Sequence, residues 1–225
     1  DGVLVLKPLD FGVADGTIRS TIRMDARERV IRSRADIRAT GLVLAKLMPD
    51  SAQLAQSAVG KVGGKVAFDS SGNSIALLAA HATGDAEAGM GAGRISKLLM
   101  EFAGMDLAGI LKIKLTRDKQ IPIRCAYGDF AVKDGVMTPR ALVFDTTETR
   151  LNGSGSIDLR NERLDLVIKP TTKKFSPLSL RAPLYVEGSF KNPDLRPDYA
   201  RMGLRAAAAA LLGSAAVPAA LVATA

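Results

Sequence analysis

Residues 129–170 read DFAVKDGVMTPRALVFDTTETRLNGSGSIDLRNERLDLVIKP, and this stretch decides the fold. It reads as a β-meander. Phe130-Ala-Val-Lys runs into Asp134-Gly135, the strongest short hairpin signal, because both central residues of the tightest hairpin turn need positive φ. β-rich runs such as Ala141-Leu-Val-Phe144 follow, and Gly153, Ser154, Gly155 and Ser156 open a further strand. Ile157-Asp-Leu-Arg and Arg163-Leu-Asp-Leu-Val-Ile168 flank a turn at Asn161-Glu162. A symmetric turn there sets Leu159 against Leu164 and Ile157 against Leu166 on one face. On the other it sets Asp158 against Asp165, a like-charge pair that Arg160 and Arg163 offset diagonally. One apolar and one polar face mark a sheet buried on one side only.

Working outward, Phe11-Gly-Val-Ala-Asp15-Gly16 repeats the pattern Phe130-Ala-Val-Lys-Asp134-Gly135, a weak internal repeat that suggests a fold built by adding similar hairpins. Val3-Leu-Val-Leu6 reads as a short strand interrupted at Pro8. Ile18, Ile22 and Met24 alternate with Arg19, Thr21 and Arg23; past a turn near Arg27-Glu28-Arg29, Ile31, Ala35 and Ile37 alternate with Arg32, Arg34 and Arg38. Two strands thus share an apolar and an arginine-rich face. The arginine face suits a solvated exterior or contact with an anionic surface. A helix is expected over residues 47–59, a strand at Lys65-Val-Ala-Phe68 and a short helix over residues 74–81. Gly84, Gly89, Gly91 and Gly93 lack the spacing of a phosphate-binding loop and read as strand and turn. Ile95, Leu98, Leu99 and Phe102 have helical spacing, with Ser96 as the expected cap and Leu107, Ile110 and Leu111 continuing the face. Ile121-Pro-Ile-Arg-Cys125-Ala-Tyr127 is the strand entering the meander. Leu184, Val186 and Phe190 mark a final strand, broken at Asn192-Pro193-Asp194. Residues 199–225 read as helix; the uncharged stretch 206–225 is long enough to cross a bilayer, but its alanine content favours a helix docked on the sheet or touching a membrane.

The 225 residues can hold a sizeable core. A net charge of +8 suits an anionic partner or surface, yet aromatic residues make up 4% and Trp is absent, which argues against stacking of single-stranded nucleic acid. With one Cys no intrachain disulfide forms. The chain begins at Asp1, without a signal peptide or N-terminal apolar anchor, and is expected to be a fragment or processed form. The single His81 and single Cys125 cannot by themselves build a zinc site, and a nucleophilic triad would have to use His81, whose nearest helical partner would be Asp85. Cys125 reads as a small buried apolar residue. Asp145, Asp158, Glu162 and Asp165 are numerous enough for a carboxylate pair, but they sit at turns and on polar faces beside arginines. No catalytic residue, metal site or cofactor is expected.

The meander also resembles the AsmA family of bacterial envelope proteins. The residues that carry the resemblance are Asp129-Phe130-x-Val132-x-Asp134-Gly135-Val136, Phe144-Asp145-Thr146, Gly153-x-Gly155-x-Ile157-Asp158-Leu159 and Glu162-x-Leu164-Asp165-Leu166, followed by Ser179-Leu-Arg-Ala-Pro-Leu-Tyr-Val-Glu-Gly-Ser-Phe and Pro193-Asp-Leu-Arg-Pro197. They are densest over residues 92–204 and thin towards the N-terminus. The resemblance, which extends to the bridge-like lipid transfer proteins, implies a single C-terminal AsmA-like domain over residues 1–225. Hairpins and a helix would occupy 1–91, the best-matching part 92–198 and a terminal helix 199–225. It implies a mainly β fold with packed helices (α+β), a curved antiparallel sheet forming a groove. The implied role is a periplasmic part of an inner-membrane-anchored protein that passes phospholipid between membranes. Candidate lining residues are Ile18, Ile22, Met24, Ile31, Ile37, Leu142, Phe144, Ile157, Leu159, Leu164, Leu166, Ile168, Leu184 and Val186. Expected partners are phospholipid or another acyl lipid, a membrane and envelope proteins, with no nucleic acid. The alternative is a non-enzymatic scaffold for outer-membrane components, using exposed strand edges.

Overall fold

A computed structural model describes residues 2–47, 59–96, 120–173 and 182–198. The chain runs β1 (Val3–Val13), β2 (Gly16–Asp25), β3 (Arg32–Val43), α1 (Leu44–Leu47), β4 (Lys61–Ser71), α2 (Ile75–Ala80), β5 (Thr83–Met90), β6 (Gly93–Ser96), β7 (Gln120–Lys133), β8 (Val136–Thr146), β9 (Thr149–Asp158), β10 (Arg163–Thr172), β11 (Leu184–Ser189) and β12 (Pro193–Pro197). These strands form one antiparallel sheet ordered as in the chain, from β1 at one edge to β12 at the other. Only β6 lies off this path, paired with β7. The sheet is open rather than closed into a barrel. Most strands pair with their successors, and the connections 14–15, 134–135, 147–148, 159–162 and 190–192 are short, which keeps their loop-closure entropy low.

The repeated motif forms two equivalent hairpins, β1–β2 and β7–β8, but the turns are offset by one residue. In β7–β8 the turn is Asp134-Gly135, both with positive φ; in β1–β2 it is Ala14-Asp15, at φ 48° and 60°. Gly16 therefore follows the turn. A Cβ there would lie 2.6 Å from the backbone of Thr40 and Leu42, so the glycine permits close approach to β3 rather than a turn conformation.

Several expectations need correction. Pro8 does not end the first strand: β1 continues through a bulge opposite Thr21, and because β1 is an edge strand the missing N–H costs no ladder bond. The turn after β9 is four residues long, not two. Arg163 pairs with Asp158 and Leu164 with Ile157, so Asp158 does not oppose Asp165 and Leu166 faces Gly155. The Asp158 carboxylate accepts hydrogen bonds from the backbone N–H groups of Arg160 and Asn161, which stabilises the longer loop. Pro193 and Asp194 do not break the sheet, since both lie in β12, paired with Gly188 and Glu187 of β11. Ile95 and Ser96 lie in β6, paired with Ile121 and Gln120, rather than opening a helix. Cys125 is exposed on β7, opposite Asp145, because a bulge at Arg124 places it on the polar face. The short helix after β4 is present as α2, with Ser74 Oγ accepting from Leu77 N at 3.2 Å. The helices expected over residues 47–59, 97–111 and 199–225 fall outside the described residues, apart from Leu47 in α1 and Val59, which is not helical but forms an antiparallel bridge with Arg94.

Candidate functional site

Strand alternation and pairing register assemble a continuous apolar face. The row Leu6–Ile22–Ala35–Phe68–Gly84–Val132–Met137–Ile157–Leu164–Gly188–Pro193 consists of successive cross-strand partners, and it holds no polar side chain from one edge of the sheet to the other. Parallel rows lie beside it. Phe11–Ile18–Ala39–Gly64–Ala88–Gly128–Leu142 is one, and Leu42–Val62–Met90–Ala126–Phe144–Leu151 is another. Bulges keep the face intact. In β1, Leu4 and Leu6 precede the bulge and Leu9, Phe11 and Val13 follow it in the opposite sequence parity, yet all five share this face. Two buried serines on this face are satisfied: Ser20 donates to the Leu9 carbonyl at 3.0 Å and Ser70 to that of Leu78.

On this face lies a hollow of about 440 Å³, lined by Val62, Ala88, Met90, Ala126, Gly128, Phe130, Leu142, Phe144, Leu151, Gly153, Ile168 and Leu184, with Gly89, Tyr127 and Val143 completing it. These residues come from β4 through β11. The six inter-strand steps between those strands would span about 29 Å if the sheet were flat. One hollow lined from both β4 and β11 needs a concave face between them. The sheet therefore curls, with its apolar face inward. Small residues allow the curl and form the floor: Gly64, Ala88 and Gly128 are neighbours in one row, and a Cβ on Gly153 would sit 2.3 Å from Leu142 Cδ2.

Of the fourteen predicted lining residues, Leu142, Phe144, Ile168 and Leu184 line the hollow. Ile18, Ile22, Met24, Ile37, Ile157, Leu164, Leu166 and Val186 share its face through register without lining it. Ile31 and Leu159 lie in loops at the strand ends, where Leu159 N donates to Gly135 O at 2.8 Å. Only Leu184 is fully buried, at 5% exposure, and the other thirteen are half-buried. A face packed under a second layer would hold its large side chains below a tenth exposed. The floor residues Ala88, Ala126, Gly128 and Gly153 were missed because small residues carry no hydropathic signal. Their one sequence cue was the alternation Ala86-x-Ala88-x-Met90 and Gly128-x-Phe130-x-Val132.

The opposite face carries charge. Its central row is Asp10–Arg19–Arg38–Lys65–Glu87–Asp129, with three adjacent cations in direct register. Arg19 pairs with Asp10 at 3.0 Å and Lys65 with Glu87 at 2.9 Å, leaving Arg38 between two cations. Arg34 grips Asp69 through two hydrogen bonds of 2.7 and 2.9 Å and holds the carboxyl below its usual range. Arg140 bridges Asp85 and Asp129 at 2.5 and 3.0 Å. Lys173 at 2.5 Å keeps Asp145 ionised and lowers its pKa. Asp165 faces Glu187, which faces Asp194, and Arg196 binds both of the latter. His81 caps α2, its Nδ1–H donating to Ser71 O at 2.9 Å; Asp85 lies away in β5. Among the described residues no group of three or more His, Cys, Asp or Glu is placed to hold a metal, and no helix is long and apolar enough to cross a membrane.

Comparison with known proteins returns the AsmA family, whose model matches residues 1–142. The family signal thus reaches to the first residues, and the thinning towards the N-terminus inferred from the quoted motifs is corrected. The AsmA family protein YhjG of Escherichia coli (strain K12) is 35% identical over 217 residues, 96% of this chain and 32% of that protein. The chain spans about a third of the length of this curated relative. No solved structure matches the chain.

Proposed function

The chain belongs to the AsmA family, and on that premise we propose that it is a non-enzymatic segment of a bacterial envelope protein whose hollow holds the acyl chain of a phospholipid. It would serve lipid passage between the inner and outer membranes from the periplasm, within a protein anchored in the inner membrane. One observation carries the reading: an apolar face continuous over eleven strands that stays half-open and curls around a carbon-lined space. Water against such a face costs free energy, so an apolar guest is favoured. If a methylene fills about as much space as a liquid water, roughly 30 Å³, the hollow takes about fifteen of them, the length of one fatty acyl chain. The rows continue beyond the hollow in both directions, so a chain could shift along the face without crossing a polar residue.

The test is mass spectrometry of lipid extracted from the purified chain, beside an unrelated basic protein prepared in the same way. Phospholipid near one per chain, retained in high salt and lost in Ala88→Phe, is the expected result. Ala88 is an exposed residue of the floor, so a phenyl ring there fills the hollow. A folded wild-type chain with no lipid above the control overturns the reading for this segment. The β1 edge supports a second reading, a scaffold that pairs with a partner strand. Leu4, Val5 and Phe11 are exposed along eleven residues of strand, with no second neighbour among the described residues.

A further inference from the structure

Five connections lie at the same end of the strands: residues 26–31, 72–82, 134–135, 159–162 and 190–192. Hydrogen bonds tie them into one ledge. Gly72 N donates to Ile31 O at 2.9 Å, while the Asn73 side chain accepts from Ile31 N and donates to Arg29 O. Gly135 N donates to Ala82 O at 2.9 Å, and Arg160 reaches both Ala80 O and Asp134 O. Leu159 N donates to Gly135 O at 2.8 Å, and Phe190 N to Glu162 O at 2.9 Å.

The ledge presents apolar side chains beside cations. Val30 is 47% exposed and follows Arg29; Phe190 is 41% exposed and precedes Lys191; Val136 pairs in register with Lys133. Ile75 in α2 is 86% exposed. Arg29, Lys133 and Lys191 have no ion-pair partner among the described residues, whereas Arg27 is taken by Asp25 and Arg32 by Glu28. Three carboxylates, Glu28, Asp134 and Glu162, also belong to the ledge. At the other end, the fully described tight turns 14–15 and 147–148 contain two acids and no base.

We infer that this ledge docks on the surface of a bilayer containing anionic phospholipid. Single apolar side chains on separate connections, with a cation beside Val30, Val136 and Phe190, suit insertion among headgroups whose phosphates meet the cations. A protein partner would instead favour one contiguous apolar patch with its charges at the rim. The inference is independent of what the hollow holds.

The experiment is co-sedimentation of the full chain with intact vesicles of phosphatidylcholine, with and without phosphatidylglycerol. Binding to the anionic vesicles that falls with salt is expected. Arg29→Gln and Lys191→Gln should each weaken it about five-fold, the effect of one basic residue near such a surface. Ile75→Asp should weaken it further, and circular dichroism should show that this exposed change leaves the fold intact. Lys46→Glu, at the opposite end, and Ala88→Phe, which fills the hollow, should bind as the wild type does. Equal binding by the ledge variants and the wild type overturns the inference, as does equal binding to both kinds of vesicle or binding to neither.

Discussion

The two faces of this one sheet are built from the same strands, yet they solve opposite problems. On the inner face, in-register partners are alike: apolar beside apolar from β1 to β12. On the outer face, unlike partners are needed, and the row Asp10–Arg19–Arg38–Lys65–Glu87–Asp129 achieves this only at Asp10–Arg19 and Lys65–Glu87. The difference teaches that burial tolerates repetition and charge does not. A run of small and large apolar side chains can repeat and still pack. Three cations in a row repel one another and rely on solvent and salt.

The strongest way to break this contrast is to exchange the faces at one place. Ala35 is 4% exposed between Ile22 and Phe68, so Ala35→Asp buries an unpaired carboxylate. The expected cost is on the order of 3–5 kcal/mol, seen as loss of a cooperative thermal transition; the same aspartate at Arg38, between Arg19 and Lys65, should leave a folded chain. A smaller effect is expected on the half-open part of the inner face. Leu166→Asp should cost about 2 kcal/mol, leaving a folded chain by circular dichroism that retains no lipid. Complete unfolding of that variant would show that Leu166 sits in a closed core.

On the outer face the signs reverse. Arg38→Ser removes the middle cation of three, so Tm should rise slightly at low salt, and the gain should shrink as salt is added. A fall in Tm at both salt levels would mean that Arg38 packs rather than repels. The smallest effect concerns Asp25, whose carboxyl is lowered from 3.8 to about 2, chiefly by the hydrogen bond from the Arg27 side chain. A depressed acid stabilises the fold above its unfolded pKa and loses that contribution as pH falls through the folded one. The advantage of the wild type over Asp25→Asn should therefore be full above pH 3.8 and vanish near pH 2. A difference unchanged down to pH 2 would remove the Arg27 pair from the account of acid stability.

Much of the inner face was legible from alternation alone. Ile18, Ile22 and Met24, with Leu164, Leu166 and Ile168, fall on it because side chains alternate with period two and no bulge interrupts those segments. Reading failed where a bulge changed the parity. Leu9, Phe11 and Val13 escape a reading that interrupts the strand at Pro8, and Cys125, inside by simple alternation, is turned outward by the bulge at Arg124. The Asp158–Asp165 pair was misread for a related reason. A turn longer by two residues shifts the register by two, which preserves the face but changes every partner.

By itself the amino-acid sequence determined the class of the structure: an antiparallel meander with one apolar face, the two related hairpins, and kinship with the AsmA family, which the comparisons bear out. These follow from local chemistry, namely alternation, turn residues and motif order, each contained within a few neighbouring positions. Only the tertiary structure decided which strands stand together around the hollow, that glycine and alanine form its floor, and that five loops join into one ledge. Curvature is the physical reason. It accumulates over many strands from twist, bulges and missing side chains, so it brings β4 and β11 to one space although no local stretch of residues records their proximity.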